Sequence, residues 1–327
     1  MQTEGVSIVF VNYKTPDLLH HAIRSLVAFT KGVAYEIIVV DNCSQDNSQA
    51  YITEAFPFVK WINNSYNAGF ARGNNAGLRA ASYNYVLIIN SDTLLQDDAV
   101  SLCYNKFKQL ENECRIGLLG CQIKSFEGAV LPSVHSTYKS ITALLQKNPL
   151  WIKIFGASRP VAYTAEWYAT SHFAEHLSGA FLMFNKQQLS TTSLWLDEDF
   201  FLYYEDVEWC VRLNRLGFKQ YYFADTHILH KDSGSSKSSE RKNFQILISE
   251  LLFVFKTYNT LYYHAYVLLW LCNLWLDNWL EQRKQKHSAA IEERKHTMYL
   301  LRHYSKVVAT SFKKETSKSG KMLVYDK

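Results

Sequence analysis

Asp92 directly follows a buried strand, a position from which a carboxylate can meet a ligand. It ends the segment Asn90-Ser91-Asp92, which comes after the apolar run Tyr85–Ile89. Ligands of parallel sheets bind outside the carboxyl ends of the strands. Mg²⁺ and Mn²⁺ favour one or two carboxylates together with phosphate oxygens. Asp92 is therefore a candidate ligand for a divalent cation, and the alternative is a turn or helix-capping role for Ser91 or Asp92.

Asp206 is a second candidate, in the segment YYEDVEWCVRLNRLG. Acidic residues at the start, Arg212 and Arg215 in the last turn, and Gly217 as the stop are typical of a well-capped helix. Glu208 and Arg212 stand four residues apart and form a helical ion pair. Because a helix N-terminus favours an ionised carboxylate, Asp206 can take a proton from an attacking hydroxyl. Helix capping alone is the alternative.

Two histidines, His227 and His230, stand three residues apart on a predicted strand. Such positions face opposite sides of the strand, so at most one of them joins a given site. His230 precedes a Ser/Gly-rich segment and is the better candidate for a metal ligand. A hydrogen-bonded structural role is the alternative. We interpret residues 232–240 as a candidate lid that closes over the donor and excludes water.

A glycine pattern marks the predicted helix at 68–81. Gly69, Gly73 and Gly77 are four residues apart and form one smooth stripe. Such a stripe lets a backbone or a diphosphate approach closely, and Arg72 with the helix N-terminus favours negative charge. The alternative is close packing of helix on sheet, which we expect for Gly77 in either case.

An alternation of strands and helices positions these residues. The sequence predicts strands at 6–11, 35–40, 58–62, 85–89, 116–121 and 220–230, with helices opening near Thr15, Asp46, residue 68 and Asp97. Alternation over 120 residues predicts βαβ units and a mainly parallel sheet. Asn12, Asp41, Asn67 and Asp92 then fall just past strand ends or at helix starts. Residues 122–175 show no regular pattern, and everything after about 240 is predicted to be helical.

Composition excludes several classes of protein. Of 327 residues, 48% are hydrophobic and 20% charged, which excludes a disordered chain. None of the six cysteines forms a C-x-x-C pair, which disfavours a zinc knuckle or a redox dithiol. No glycine follows the first strand, as a dinucleotide-binding G-x-G-x-x-G would require, and P-loop, G-x-S-x-G and H-E-x-x-H motifs are absent. The N-terminus lacks a signal-peptide pattern, so we expect a cytoplasmic protein with reduced thiols.

The order of the segments resembles the inverting glycosyltransferases of family 2, and most closely their bacterial rhamnosyltransferase-type branch. The resemblance covers about residues 5–240 and is carried by VSIVFVNYKTPDLLHHAIRSL, EIIVVDNCSQDNS, NAGFARGNNAGL, YVLIINSDT, LSGAFLMF, FFLYYEDVEWCVRLNRLGF and HILHKDSG. It implies a GT-A fold, an α/β architecture with a Rossmann-like, mainly parallel sheet flanked by helices. We expect a nucleotide-binding half at 1–121, an acceptor half at 122–240, and a helical, basic extension at 241–327.

The resemblance implies a role for each candidate residue. Asp206 would be the catalytic base, Asp92 the metal-binding residue and His230 a further metal ligand. The nucleotide-sugar would contact Asn12, Tyr13, Asp41, Asn67, Gly69, Arg72, Asn74, Ser91 and Asp92, and the acceptor would contact Glu205 and Trp209. The sequence departs from the family pattern at Asn90, which replaces the first acid of the D-x-D-like motif, and at Glu208, where Asp is usual. The Q-x-x-R-W signature of processive synthases is absent, so we expect one sugar or a few per acceptor.

The implied reaction transfers a sugar with inversion, using Mg²⁺ or Mn²⁺. dTDP-L-rhamnose is the expected donor, with a UDP-hexose or UDP-galactofuranose as the alternative. The acceptor would be a cell-surface glycan or a lipid-linked saccharide, in polysaccharide, lipopolysaccharide or capsule biosynthesis. A nucleotidylyltransferase is a rival, but it needs a glycine-rich basic loop where only Lys14 stands. A non-catalytic sugar-nucleotide or glycan-binding module is the other rival.

The positive charge of the chain lies at its C-terminal end. Residues 281–327 hold 12 Lys/Arg and 5 Asp/Glu, while the whole chain has a net charge of +5. The aromatic helix at 261–280 precedes this segment. We expect both to dock on the inner face of the cell membrane; a helical cap on the catalytic domain, a contact with a second subunit, or a membrane-spanning helix are the alternatives. No nucleic-acid partner is expected, since no recognised binding module is present.

Overall fold

The computed structural model describes residues 4–133, 140–147, 149–155, 163–189, 195–231, 240–283 and 289–312. The chain divides into two compact units, one of residues 1–135 and 163–238, the other of residues 136–162 and 239–327. The sequence-based division placed 136–162 in the acceptor half, whereas the structure groups them with the C-terminal helices. Most of the candidate lid, residues 232–239, lies outside the described residues.

The first unit is built on one mixed sheet. Its strands are β1 (Val6–Asn12), β2 (Tyr35–Asp41), β3 (Lys60–Asn63), β4 (Tyr85–Ile89), β5 (Thr93–Leu95), β6 (Ile116–Lys124), β7 (His172–Ala174), β8 (Phe181–Asn185) and β9 (Lys219–His230). The order is β3-β2-β1-β4-β8-β6-β9-β5, and β7 also pairs with β9. Strands β1 to β4 are parallel, as are β6 and β9, whereas β8, β5 and β7 run antiparallel to their neighbours. Antiparallel β8 thus joins the four parallel strands β1 to β4 to the parallel pair β6 and β9.

The helices of the described parts are α1 (Pro16–Phe29), α2 (Ser48–Ala55), α3 (Gly69–Ala80), α4 (Ala99–Glu111), α5 (Ile141–Lys147), α6 (Pro149–Phe155), α7 (Ala165–Tyr168), α8 (Glu205–Arg215), α9 (Glu240–Thr257), α10 (Thr260–Arg283) and α11 (Ala289–Ser311). Helices α5, α6, α9, α10 and α11 belong to the second unit. There the side-chain amide of Asn273 on α10 donates to the carbonyl of Leu144 on α5 and accepts from the indole of Trp151 on α6. These contacts explain why residues 136–162 group with the C-terminal helices.

The core of the first unit follows from its apolar strands. Residues of β1, β2 and β4 are almost continuously buried, as expected where helices cover both faces of a parallel sheet. Helix α1 buries Leu19, Ala22, Ile23 and Leu26, the apolar face that its sequence predicts. None of the helices within the described ranges combines the length and hydropathy needed to cross a bilayer.

Two local features are not evident from the sequence. Helix α1 opens after Thr15, as predicted, but the Thr15 hydroxyl makes no cap hydrogen bond and donates to Oδ1 of Asn12 at 3.1 Å instead. The three-residue strand β5 was not predicted, because it is too short to show a period and forms only by pairing with β9. Asp98 does cap α4, since its carboxylate accepts from the backbone N–H of Ser101 at 3.2 Å.

Candidate active site

Polar residues at the ends of β1, β2 and β4 are linked by hydrogen bonds. Asn12 ends β1 opposite Asp41 on β2, and its amide donates to Oδ1 of Asp41 at 2.7 Å. Oδ1 of Asn12 accepts from the hydroxyl of Thr15, which lies 3.2 Å from the hydroxyl of Ser91. The carboxyl edge of the sheet is therefore one connected polar array. Thr15 was missed as a member because its sequence position is typical of a helix cap.

Asn12 and Asp41 support this edge from within the fold. Both are buried. The carboxylate of Asp41 also accepts from the backbone N–H of Ser44 at 2.8 Å and from its hydroxyl. Tyr13, in contrast, is 43% exposed. The exposed ring of Tyr13 is thus better placed to touch a ligand than the two buried side chains that position its loop.

Positive backbone φ angles mark the same edge. Lys14, Cys43 and Gln45 have φ angles of 58°, 60° and 55°. Non-glycine residues seldom adopt this left-handed conformation, which concentrates at functional sites. The loops after β1 and β2 are therefore held in a specific shape by the hydrogen bonds around Asn12 and Asp41.

The structure brings Asp92 and His230 together. Strand β5 pairs with the last residues of β9, Thr93 opposite His230, and the backbone N–H of Lys231 donates to the carbonyl of Asp92 at 3.0 Å. Nε2 of His230 then lies 3.1 Å from Oδ1 of Asp92 and 3.3 Å from the amide nitrogen of Asn90. Both members of the Asp92–His230 pair keep partly exposed side chains, so a ligand can reach them.

The geometry of this pair fits a divalent cation. Two ligands bound at right angles to an octahedral ion, each about 2.0–2.1 Å away, lie about 3 Å apart, close to the observed separation. Within the described part of the chain, no group of three or more His, Cys, Asp or Glu side chains could hold a metal. Phosphate oxygens and water would therefore complete the coordination, which is the usual arrangement for Mg²⁺. His227 faces the other side, near Asp97 and Gln96, as the strand period predicts.

Asp206 lies in the first turn of α8 with a partly exposed side chain. Its two carboxylate oxygens accept from the backbone N–H groups of Gly179 and Val207, each at 2.8 Å. Nε2 of His176 lies 3.8 Å from Oδ2. Burial raises the pKa of the Asp206 carboxyl, but His176 and the two N–H groups outweigh burial and hold this pKa below its usual value. The carboxylate is therefore ionised at neutral pH, as a general base must be.

His176 was missed in the sequence because nothing in the pattern around it links it to Asp206. It precedes the turn that contains Gly179, and the turn presents both residues to the start of α8. A buried histidine near an acidic residue carries no local sequence signal. Only the pairing of β8 with β4 and the packing of α8 bring the two segments together.

Two residues expected to contact the acceptor are buried instead. Trp209 is fully buried, with its ring edge-to-face against Phe184 at 5.1 Å. Glu205 is only 5% exposed, and its Oε2 has no hydrogen-bond partner among the described residues. The expectation for both is corrected, because the helical period turns them toward the core while Asp206 faces outward. Burial and the neighbouring Asp206 charge raise the pKa of Glu205 well above its usual value, so Glu205 keeps its proton to a higher pH than a free carboxyl does.

Glu208 has a structural role. Its carboxylate accepts two hydrogen bonds from the guanidinium of Arg212, at 2.8 and 3.0 Å, and both residues are buried. Arg212 also donates to the carbonyl of Trp195 at 2.6 Å. The predicted ion pair is thus present and holds α8, so Glu208 is not a second acid of the site.

The glycine stripe of α3 packs against strand β1 and against the loop before α8. A Cβ on Gly77 would overlap Val9, and one on Gly73 would press on Val11 at 3.0 Å. Gly69 is buried at a φ of +76°, and a Cβ there would overlap the carbonyl of Phe201. The expected open approach of a diphosphate along this stripe is therefore wrong, and Gly69 instead lets the loop before α8 dock on α3.

The remaining predicted residues of α3 differ in their availability. Asn67 closes a turn, since its Oδ1 accepts from the backbone N–H of Gly69 at 3.1 Å. Asn74 is buried and donates to the carbonyl of Phe70 at 3.0 Å. Arg72 is half-buried and has no acidic partner among the described residues. Arg72 is thus the cation that α3 leaves available for an anionic ligand.

The known proteins that this chain resembles are glycosyltransferases. Residues 7–158 match the family profile described as Glycosyl transferase family 2. The low-salt glycan biosynthesis hexosyltransferase Agl10 of Haloferax volcanii is 25% identical over 222 residues, which cover 65% of this chain and 62% of that protein. The poly(ribitol-phosphate) beta-N-acetylglucosaminyltransferase TarP of Staphylococcus aureus is 30% identical over 125 residues, or 36% of this chain and 38% of that protein. The chain thus spans less than two thirds of the length of these curated relatives.

Solved structures share the fold. The mannosyltransferase PcManGT from Pyrobaculum calidifontis, in complex with GDP-Man and Mn²⁺, matches with a TM-score of 0.55 at 15% identity, over 94% of this chain and 84% of that one. GalNAc-T7 with UDP, GalNAc and Mn²⁺ matches with a TM-score of 0.58 at 12% identity, over 94% of this chain and 57% of that one. The predicted GT-A fold is confirmed.

Proposed function

We propose that this chain, which belongs to glycosyltransferase family 2 through residues 7–158, transfers a sugar from a nucleoside-diphosphate donor to a hydroxyl of a glycan acceptor, with inversion. The observation that carries the proposal is the state of Asp206, an ionised, partly exposed carboxylate oriented by Gly179 and Val207. The same unit holds the Asp92–His230 pair at the carboxyl end of its strands. A base and a diphosphate site are the two parts that sugar transfer requires.

The transfer is a single displacement. The acceptor oxygen forms a bond to the anomeric carbon while the bond from that carbon to the donor's diphosphate oxygen breaks. The nucleoside diphosphate leaves with the electron pair, and the hydroxyl proton passes to the carboxylate of Asp206. Attack from the face opposite the leaving group inverts the anomeric centre. The Gly179 and Val207 N–H groups fix the orientation of Asp206 so that its carboxylate meets the hydroxyl without rearrangement.

We propose Mg²⁺ or Mn²⁺ as the cofactor, held by Asp92 and His230. When bound, it would offset the charge that develops on the leaving diphosphate. Arg72 would add a second positive charge on the donor side, because it has no acidic partner among the described residues. Asn90 contributes no charge, so the pair supplies one carboxylate and one imidazole.

The nucleoside of the donor would lie on the loops after β1 and β2. There the exposed ring of Tyr13 is available, with the Lys14 ammonium 5.5 Å from its centre. dTDP-L-rhamnose remains the first donor to test, followed by UDP-hexoses and UDP-galactofuranose. The names of the two curated relatives, a hexosyltransferase and an N-acetylglucosaminyltransferase, support including UDP-glucose and UDP-N-acetylglucosamine. A lipid-linked or cell-surface saccharide of polysaccharide, lipopolysaccharide or capsule biosynthesis is the proposed acceptor, met at the inner face of the membrane.

The test is a donor panel assayed with alkyl glycoside acceptors. Purified protein with Mn²⁺ is incubated with each donor, and release of nucleoside diphosphate and the glycoside product are measured. We expect transfer from one pyrimidine donor and a loss of about 10²–10⁴-fold in Asp206→Asn. Asp225→Asn, which changes an exposed carboxylate on β9, should retain transfer. Equal transfer by Asp206→Asn and wild type would contradict the assignment of the base.

A further inference from the structure

Helix α10 is apolar on two faces. One face packs within the second unit through buried Tyr263, Tyr266 and Val267. The opposite face is also apolar but exposed, with Leu261 at 81%, Leu268 at 63% and Trp275 at 58%. A helix that is hydrophobic all round is normally covered on every side. The exposed face of α10 therefore needs a partner.

Six exposed residues of this face, from Leu261 to Trp279, recur at heptad spacing. Successive intervals are four, three, four, three and four residues, the a/d alternation of a two-stranded coiled coil. The stripe spans about 27 Å of helix at 1.5 Å per residue. All of its members are exposed, and we name them the α10 stripe: Leu261, Ala265, Leu268, Cys272, Trp275 and Trp279.

We infer that the α10 stripe binds the same stripe of a second copy of this chain, with the two helices antiparallel across a twofold axis at Trp270. The spacing is symmetric about position 270, so every stripe residue then faces another stripe residue. Leu261 faces the partner's Trp279, Ala265 faces the partner's Trp275, and Leu268 faces the partner's Cys272. A twofold interface uses one surface patch on both copies, and this stripe meets that condition.

Side-chain volumes support the antiparallel register. Each layer pairs a smaller residue with a larger one, as close packing of a helix seam requires. In a parallel pair, Trp275 would face Trp275 and Ala265 would face Ala265, which leaves one layer overfilled and another underfilled. In the antiparallel pair, each layer places an a residue of one helix opposite a d residue of the other, because the two heptads run in opposite directions.

Charge argues against a lipid surface as the partner. A helix that lies on an anionic membrane carries Lys or Arg on its polar flanks, but no charged residue occurs between Lys256 and Asp277. Lys256 is fully buried. At the other end the guanidinium of Arg283 stacks on the ring of Trp279, 3.9 Å from its centre. Between Lys256 and Asp277 the flanks of the α10 stripe carry no charge, which fits a second protein helix.

The first test is the mass of the full chain in solution, by light scattering after size exclusion. We expect twice the 37.9 kDa of one chain, and a single-chain mass for Leu268→Glu or Trp275→Glu. Both side chains are largely exposed, so the substitutions should leave the fold intact; circular dichroism checks this. Tyr299→Glu is the matched control, since Tyr299 is 66% exposed on α11 outside the stripe, and it should keep the double mass. A single-chain mass for the wild type, or a double mass for Leu268→Glu, would overturn the inference.

The second test reads the register by disulfide formation. Cys272 is the exposed cysteine of the six. Leu268→Cys places a thiol opposite the partner's Cys272, so mild oxidation should link the two chains in this variant and not in the wild type. Linkage of the wild type through Cys272 itself would indicate parallel helices and contradict the register. Binding of monomeric wild type to anionic phosphatidylserine vesicles, lost in Trp275→Glu, would overturn the dimer in favour of a membrane contact.

Discussion

Nε2 of His230 lies 3.1 Å from Oδ1 of Asp92 because β5 pairs with the last residues of β9. The short strand β5 starts immediately after Asp92, so its pairing fixes the carboxylate beside the imidazole. The backbone bond from Lys231 to the Asp92 carbonyl holds the same contact. Sequence patterns identify each residue as a ligand candidate, but their proximity is a property of the sheet.

His176 should set the pH dependence of catalysis. Replacing it in His176→Gln removes a group that lowers the pKa of Asp206, while burial still raises that pKa. A base with a raised pKa is protonated at higher pH, so the acid limb of kcat/KM should move upward. The pH profile of sugar transfer measures this shift. His172→Gln, on β7, should leave the limb in place, and an unchanged profile in His176→Gln would contradict the role of His176.

Glu205 should make the fold less stable as pH rises. Its pKa in the folded chain is raised well above the ordinary 4.5, so the folded state binds a proton that the unfolded state releases. Stability from this group is therefore present below pH 4.5 and is lost as pH rises toward the folded pKa. Glu205→Gln cannot ionise, so it should raise the apparent Tm relative to wild type more at pH 8 than at pH 4.5. Thermal unfolding of both proteins at the two pH values measures this, and an equal difference at both would contradict it.

Gly69 should tolerate no side chain. In Gly69→Ala the new Cβ overlaps the carbonyl of Phe201, so the loop before α8 must move, and transfer should fall with stability. Gly128→Ala is the matched control, because Gly128 also has a positive φ, +86°, but no atom of the described residues lies within 4 Å of the added Cβ. Positive φ alone costs about 1–2 kcal/mol. Chemical denaturation should show a larger loss for Gly69→Ala than for Gly128→Ala, and equal losses would show that the Phe201 contact is unimportant.

Thr15 should couple the β1 and β4 edges. Thr15→Val removes the hydroxyl between Asn12 and Ser91 and leaves Oδ1 of buried Asn12 without this donor. We expect a loss of about 1–3 kcal/mol in the free energy of unfolding and a raised KM for the donor, with a smaller change in kcat. Thr53→Val, which loses an exposed helix hydrogen bond on α2, should change neither kinetic constant. A donor KM equal to that of wild type would contradict the coupling.

Local sequence signals predicted the framework of the site. The apolar runs of β1, β2 and β4 predict buried parallel strands, and the polar residues after them, Asn12, Asp41 and Asp92, lie at the carboxyl edge as expected. These features depend on neighbours in sequence. The residues at each strand end and helix start are themselves the signal that predicts these boundaries.

Tertiary packing determined what the sequence did not predict. Glu205, Asp206 and Trp209 lie within the first five residues of α8, and only the orientation of the helix on the sheet decides that Asp206 faces outward while the other two are buried. The partner of Asp206, His176, comes from a distant segment with no recognisable pattern. The hydroxyl of Thr15 joins a hydrogen-bond network instead of capping α1, because Ser91, in the turn after β4, approaches it.

The most direct test of the central claim is calorimetric titration of UDP and dTDP into the purified chain, with Mn²⁺ and with EDTA. A site built on Asp92 and His230 predicts binding of a pyrimidine diphosphate with Mn²⁺, loss of that binding in EDTA, and an affinity at least about tenfold weaker in Asp92→Asn. Asp225→Asn should bind as wild type does. Failure of both diphosphates to bind, or binding that is equal with and without metal and unchanged in Asp92→Asn, would contradict the account.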